Sequence, residues 1–427
     1  MYYSQMTDSQ LKEELERVRA QYKQKQELKL KLDMSRGKPA PEQSALSKGI
    51  LTVISEDSDC ISREGIDCRN YGFPKGLIEL KEIFAPIIGA DPEQIIPCGN
   101  SSLNLMYDCV SDAYHFGFPE SDKPWGKYER IKFICPCPGY DRHFFITQNL
   151  GAELIAVDML PTGPDMDKVE ELCKNDPTVK GIWCVPKYSN PDGYTYSDET
   201  VKRLASMECA AKDFKIFWDN AYCIHDLYDE SDPLLNILEE CKKANNPDRA
   251  LVFFSTSKIT YAGGGVAFVA GSPNTVKYFS DRFAIRVVCY DKLNQLRHAR
   301  FFQTTEKVYE HMKKHAALLR PKFEMVCNTL SQELDQCGFA QWNKPRGGYF
   351  VSLNVMDHTA KRVFALCGEA GVTLTNVGAT FPCGMDPRDR NIRISPSAVT
   401  EAELKQAMEI LCISAKLAAL EKLLSHR

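Results

Sequence analysis

The sequence predicts an α/β protein built on a mainly parallel sheet with helices on both faces, and two observations carry that prediction. From about residue 95 to residue 270, short continuous apolar runs recur between charged, amphipathic stretches. Strands joined by such helical crossovers are covered above and below, so they read as unbroken apolar runs rather than as alternating ones. After residue 349 the apolar runs interleave with helical segments that end in 400–424, which predicts a second, smaller α/β domain. A chain of 427 residues suffices for two or three ordinary domains and a large core.

Residues 8–32 carry Leu11, Leu15, Val18, Tyr22 and Leu28 at helical spacing, an amphipathic first helix. The turn-rich stretch SRGKPAPEQ follows. In chain order, IKFIC, ELIAVDM, GIWCVP, KIFWD, ALVFFS and GGVAFVAG read as strands, with segments such as 198–212 as the helices between them. The stretch 290–337 reads as long helix, and YFVSLNV, GVTLTNV and NIRISPS as the strands of the smaller domain. No internal repeat, low-complexity tract or long linker interrupts the pattern.

Charge and composition narrow the function classes. The 53 Lys and Arg against 57 Asp and Glu leave a net charge of −4, which offers no field for gripping nucleic acid or an anionic membrane. No apolar run approaches a membrane span, and the first 24 residues mix both charges where a signal peptide would be apolar, so a soluble cytoplasmic protein is expected. The 17 cysteines are odd in number, scattered and without a Cys-x-x-Cys pair, and read as reduced core thiols. Cys135 and Cys137 are expected to pack, because zinc would need two further soft ligands. His311 and His315 in HMKKH are spaced for one helix face but lack the glutamate of a zinc protease, so they are expected on an exposed face, and no metal is expected. No Gly-x-Gly-x-x-Gly follows a strand, which leaves nicotinamide and flavin chemistry without support, and no Gly-x-Ser-x-Gly occurs.

Ligands of such sheets gather at the carboxyl ends of the strands. There KIFWDNAY places Asp219 and Tyr222, GIWCVPKYSNPDG places Asn190, and ICPCPGY places Tyr140. IIPCGNSSLNLMYD runs through Gly99 and Asn100 into a helix whose first turn holds Ser101 and Ser102, while ALVFFSTSK brings Ser255 and Lys258. Singly, each has a bland reading: a carboxylate after a strand caps a helix, Asn-Pro makes a turn, a tyrosine after Pro-Gly packs, and a lysine snorkels to water. A charged lysine closing a buried strand is nevertheless costly unless something compensates.

Taken together, the motifs Gly-x-Ser-Ser, Pro-Gly-Tyr, Asn-Pro-x-Gly, Asp-x-Ala-Tyr, Ser-x-Ser-Lys and a late strand arginine resemble the cofactor site of fold-type I pyridoxal-phosphate enzymes of the class I/II aminotransferase group. The resemblance runs from about Ser35 to Arg393, and LDMSRGKPAPEQ, RNYGFPKGL, WDNAY and STSKITYAGGGVAF are similar to the divergent type Ic aspartate aminotransferases. It implies a mainly parallel seven-stranded sheet in a large domain over 56–310. A small domain from both chain ends, 1–55 and 311–427, is implied with it, as are pyridoxal 5'-phosphate as cofactor and a homodimer with shared active sites. Lys258, Asp219 and Tyr222 would be catalytic: Lys258 joined to the pyridoxal aldehyde as a Schiff base and, once released, moving a proton between Cα and C4′. Asp219 would keep the ring nitrogen protonated, Asn190 and Tyr222 would bond the ring's phenolate oxygen, and Tyr140 would stack on the ring. Gly99, Asn100, Ser101, Ser102 and Ser255 would surround the phosphate at a helix start, with Tyr71 of RNYGFPKG reaching it from the neighbouring subunit. Arg393 would hold the substrate α-carboxylate with its planar fork, beside Asn190 and Gly37, and Arg36 would face a distal carboxylate.

The chain departs from the family pattern at one place. Where most relatives carry a phosphate-binding arginine about eight residues after the lysine, Gly263, Gly264, Gly265 and Val266 stand, so amides near Gly264 and Gly265 are expected to substitute. The implied reaction is transamination between aspartate or glutamate and 2-oxoglutarate or oxaloacetate, with Arg286, Arg297, Arg300 and Arg346 as further candidates for the distal carboxylate. The same residues leave open an aminotransferase for aromatic or neutral amino acids, a C–S or β-lyase, and a decarboxylase. A ligand-sensing regulator is disfavoured, since too few residues precede SRGKP for a DNA-binding module.

Overall fold

The computed structural model describes residues 2–425. Its main sheet has the order Ile95–Pro97, Ala267–Ala270, Ala250–Ser255, Lys215–Asp219, Val179–Cys184, Lys132–Cys137, Glu153–Leu160, Gly163–Pro164. The five strands from Ala250–Ser255 to Glu153–Leu160 run parallel to one another. Ala267–Ala270 lies antiparallel to both its neighbours, and Gly163–Pro164 folds back on Glu153–Leu160. The sheet therefore has one strand more than the seven expected, a two-residue edge too short to leave a pattern in the sequence.

Val179–Cys184 and Lys215–Asp219 are buried at every position, as crossover helices on both faces require. Alternate residues separate two cores: Phe133, Trp183, Phe217 and Phe253 face one, and Ile134, Ile182, Ile216 and Val252 the other. A third core joins Leu11, Leu15 and Val18 to Val326, Leu330, Leu353, Leu366 and Leu411, so both ends of the chain pack together.

The first helix, Asp8–Glu27, starts at a Thr7 capping box closed by Gln10 and buries Leu11, Leu15, Val18 and Tyr22. Leu28, expected on that face, is instead exposed where the helix ends. The long helix expected over 290–337 is two helices, Lys292–Phe302 and Thr305–Leu334, separated at Gln303, whose φ is +65°. His311 and His315 are buried, not exposed, because their side of the second helix packs against the turn around Lys258. The late strands are short. Gln341–Trp342, Val351–Asn354 and Asn391–Ile394 form an antiparallel sheet, and Leu32–Asp33 pairs with Val372–Thr373.

All 17 cysteines are free thiols. Among the described residues, no helix is long and apolar enough to cross a membrane, and no group of three His, Cys, Asp or Glu side chains is placed to hold a metal.

Candidate active site

A cavity of about 610 Å³ opens at the carboxyl ends of the parallel strands. Ser101, Ser102, Tyr140, Asn190, Asp219, Tyr222, Ser255, Lys258, Arg393, Arg36 and Gly37 all line it. Gly99, Asn100 and Tyr71 do not, and Tyr71 is 80% exposed. A larger cavity of about 760 Å³ lies behind the loop after Asp219 and contains none of the expected site residues.

Asp219 is the last residue of its strand and is buried. One carboxylate oxygen, Oδ2, accepts a 3.0 Å hydrogen bond from His143 Nε2. The other, Oδ1, is buried with no partner among the described residues. Leaving such an oxygen dry costs about 1–3 kcal/mol, so the site has an opening for one N–H donor. His143 is held by stacking on Trp183, 4.6 Å between centroids at 12°, and by the edge of Tyr140 at 4.9 Å. Sequence reasoning missed His143. Its signal is its position in the first turn of the helix Asp141–Asn149, three residues after the Pro-Gly-Tyr tyrosine.

Lys258 is half-buried, its Nζ 5.0 Å from the Tyr222 ring and 5.9 Å from that of Tyr349. Burial pushes the Tyr222 phenol well above its usual range, and burial followed by the Lys258 ammonium holds His225 below the ordinary imidazole value. Burial likewise raises Tyr140, although Lys258 opposes it.

Ser101 caps the helix Ser102–Phe116, taking the Asn104 N–H on its hydroxyl and leaving first-turn amides facing the cavity end. The Ser255 and Ser257 hydroxyls lie 3.1 Å apart, and Ser257 donates to the Asn100 carbonyl. Gly99 and Asn100 act on this loop rather than on the cavity. The Gly99 carbonyl accepts from Ala267 N and the Cys98 N–H donates to the Ala267 carbonyl, each at 2.7 Å, which staples the helix start to the strand after Lys258. The glycine run lies off the cavity wall, away from the place expected of it. Gly263 to Val266 do not reach the cavity wall, and the Gly264 N–H is taken by the Tyr261 carbonyl. Gly265 serves close packing instead, since a Cβ there would lie 3.0 Å from the Thr256 hydroxyl and 3.1 Å from Ser257 N. Ser257 stands on the wall in its place.

On the opposite wall Arg393 is 8% exposed. Its Nη1 donates to Asn190 Oδ1 at 3.3 Å and lies 3.7 Å from Asp141, Nη2 reaches Thr375 at 3.5 Å, and Nε is buried without a partner. Phe350 lies beneath the guanidinium, 4.9 Å away, and Gly37 admits that ring, since a Cβ at 37 would meet it at 2.4 Å. Arg36 is exposed at the mouth, and among the described residues no carboxylate lies within ion-pair distance of it. Lys38 and Arg142 share the wall and were missed by the sequence analysis. Arg286, Arg297, Arg300 and Arg346 lie away from it, with Arg286 bound to Asp108 and Asp112 and Arg346 to Glu230 and Asp232.

The chain is similar over residues 6–427 to the family model described as aspartate amino-transferase. It is 45% identical to an aspartate aminotransferase of Corynebacterium glutamicum, over 91% of this chain and 90% of that protein. A crystal structure of an aspartate transaminase from the same organism superposes with a TM-score of 0.97 at 42% identity, covering 99% of each chain. An aspartate aminotransferase from Thermus thermophilus, at 17% identity, a TM-score of 0.65 and coverage of 94% of this chain and 96% of that one, shares the fold. With a family model that spans nearly every residue and a strand-end cavity carrying the lysine, aspartate and arginine that the motifs pointed to, the chain belongs to the aspartate amino-transferase family.

Proposed function

We propose that this chain is a pyridoxal 5'-phosphate-dependent aminotransferase that exchanges the amino group of aspartate or glutamate with a 2-oxo acid. The observation that carries the reading is the single free oxygen of buried Asp219, in the same cavity as Lys258 and as buried Arg393. A protonated pyridine nitrogen fits that oxygen, and a phosphate fits the helix start at Ser102 with the hydroxyls of Ser101, Ser255 and Ser257 around it. When bound, the cofactor supplies an electron sink for the pair left at Cα.

The remaining work falls to the chain. Asp219, steadied by His143, would hold a proton on the ring nitrogen. Lys258 anchors the cofactor and, when free, is the base that takes and returns the Cα proton. Tyr222, Asn190 and Tyr140, on the same cavity wall, would hold the ring. Arg393, pre-aimed by Asn190 and Thr375, binds the α-carboxylate, and its free Nε is a further donor. Arg36, with Lys38 and Arg142 on the same wall, favours a second, distal carboxylate. Exposed Tyr71 is in a position to reach the phosphate of a second copy in a homodimer with shared sites, and the free thiols suit the reducing cytoplasm.

An absorbance spectrum of the purified protein, followed by an amino-acid screen with 2-oxoglutarate, tests this reading. A pH-dependent visible band that vanishes in Lys258→Ala, with aspartate the best donor, is expected. Absence of the band refutes the cofactor, and preference for neutral or aromatic donors refutes the substrate class.

A further inference from the structure

The turn that carries Lys258 is gripped from outside the cavity by three buried histidines. Ser255 pairs with Ala267 across two antiparallel strands, so residues 256–266 form a hairpin loop. Its base is closed by Thr256 N to the Val266 carbonyl and by Val266 N to the Thr256 hydroxyl, both 2.9 Å. One side of the loop is Gly263–Gly265, with the greatest backbone freedom a chain can have. The other side, which holds Lys258, is where the contacts gather.

His298, on the helix Lys292–Phe302, places Nδ1 2.8 Å from the Asn294 carbonyl and Nε2 3.1 and 2.9 Å from the Thr256 and Thr260 hydroxyls. A carbonyl only accepts, so Nδ1 carries the proton and Nε2 receives a threonine O–H. On the next helix His311 Nε2 lies 2.9 Å from the carbonyl of Ile259, the residue after Lys258, and 3.1 Å from His315 Nε2. Gln43 fixes the second ring. Its Oε1 takes the Ala40 N–H, so its Nε2 donates to His315 Nδ1 at 3.1 Å and to the Tyr349 hydroxyl at 2.9 Å. His315 then bears its proton on Nε2 and packs against the His311 ring, 4.9 Å between centroids, while the Ile259 carbonyl accepts from His311 Nε2 and, at 3.3 Å, from the Ser47 hydroxyl. The chain of contacts closes on itself, because the Tyr349 ring stacks near Tyr222 and both rings flank the Lys258 amine.

We propose that His298, His311 and His315 are positioning residues that clamp residues 256, 259 and 260 to two helices and so set the direction from which the Lys258 amine enters the cavity. None of the three lines the cavity. Burial keeps all three rings neutral, His298 and His315 being pushed down to about 4 and His311 below its usual value. The inference rests on Lys258 being the cofactor-bearing base.

The test compares the full-length holoenzyme with His311→Leu, His311→Gln and Thr260→Val, reading the pH midpoint of the visible band, kcat and KM separately, and Tm. For His311→Leu the expected result is a kcat about tenfold lower, a KM within about twofold and a band midpoint moved by about half a pH unit or more. Glutamine, which returns an N–H near the Nε2 position, restores most of both. Thr260→Val keeps the side-chain shape, removes one hydroxyl facing His298 and moves the midpoint less, and it decides the matter if His311→Leu does not fold. Variants that lower Tm while keeping the wild-type midpoint and kcat, or a glutamine that rescues nothing, overturn the clamp. A wild-type protein without a visible band overturns the cofactor reading instead, so the two failures are distinct.

Discussion

Replacing His143 with leucine removes the only donor to Asp219 among the described residues while keeping the buried volume close to that of the ring. The bond is 3.0 Å long, and its partners' side chains are 1% and 7% exposed, so water cannot take over. Hydrogen bonds to charged groups in such settings are worth about 1.5–3 kcal/mol. If the carboxylate must stay ionised for the reaction, kcat/KM should therefore fall by about 10- to 150-fold in His143→Leu. The assay is a double-mutant cycle with Asp219→Asn, measured as kcat/KM for aspartate and as affinity for pyridoxal 5'-phosphate. Because His143 acts through Asp219, its replacement should cost little once Asp219 is already an amide. Losses that simply add, or a single mutant within about twofold of wild type, would refute the assignment of His143 to Asp219.

Three further outcomes follow from the same geometry. Arg36→Ala should lower kcat/KM for aspartate by about 1–2 kcal/mol more than for alanine, an exposed cation being worth less than a buried one, and Arg142→Ala measured alongside shows which cation carries the preference; equal losses on both amino acids exclude both. Burial raises Asp192 to about 7, so the folded chain keeps a proton that the unfolded chain has lost. The stability this lends is complete below about pH 4 and lost as pH rises through about 7, so Asp192→Asn should raise Tm at about pH 8.5 and change it little at about pH 4.5. His298 and His315 lie at about 4, so their contribution is full above about pH 6.5 and is lost as pH falls toward 4, by up to about 1.4 kcal/mol per ring per pH unit. In Asp192→Asn, which removes the opposing carboxyl, a Tm that stays flat between about pH 7.5 and 5 would contradict that sign.

The strands that build the site were legible because strands buried on both faces leave continuous apolar runs, and GIWCVP, KIFWD and ALVFFS each end where a ligand-facing residue begins. What stayed illegible depends on distance or on local backbone. His143 meets Asp219 across 76 residues, and no local spacing announces that pairing. The break at Gln303 comes from one residue at positive φ in a stretch whose composition remains helical. His311 and His315 were misplaced on an exposed face because a polar ring says nothing about whether a carbonyl waits for it, and here Ile259 supplies one. The glycine run was equally hard to read: what its sequence does not show is that the missing Cβ of Gly265 lets the loop pack against Thr256 and Ser257.

The rungs joining Cys98 and Gly99 to Ala267 make the start of the helix Ser102–Phe116 and the hairpin bearing Lys258 adjacent parts of one ladder. Protection from amide exchange at the two should accordingly be lost in a single opening event, since neither can detach without breaking rungs the other needs. A protein with half of this grip released has no separate existence on that pathway, and release of the proposed cofactor and local melting should be the same transition seen by two probes.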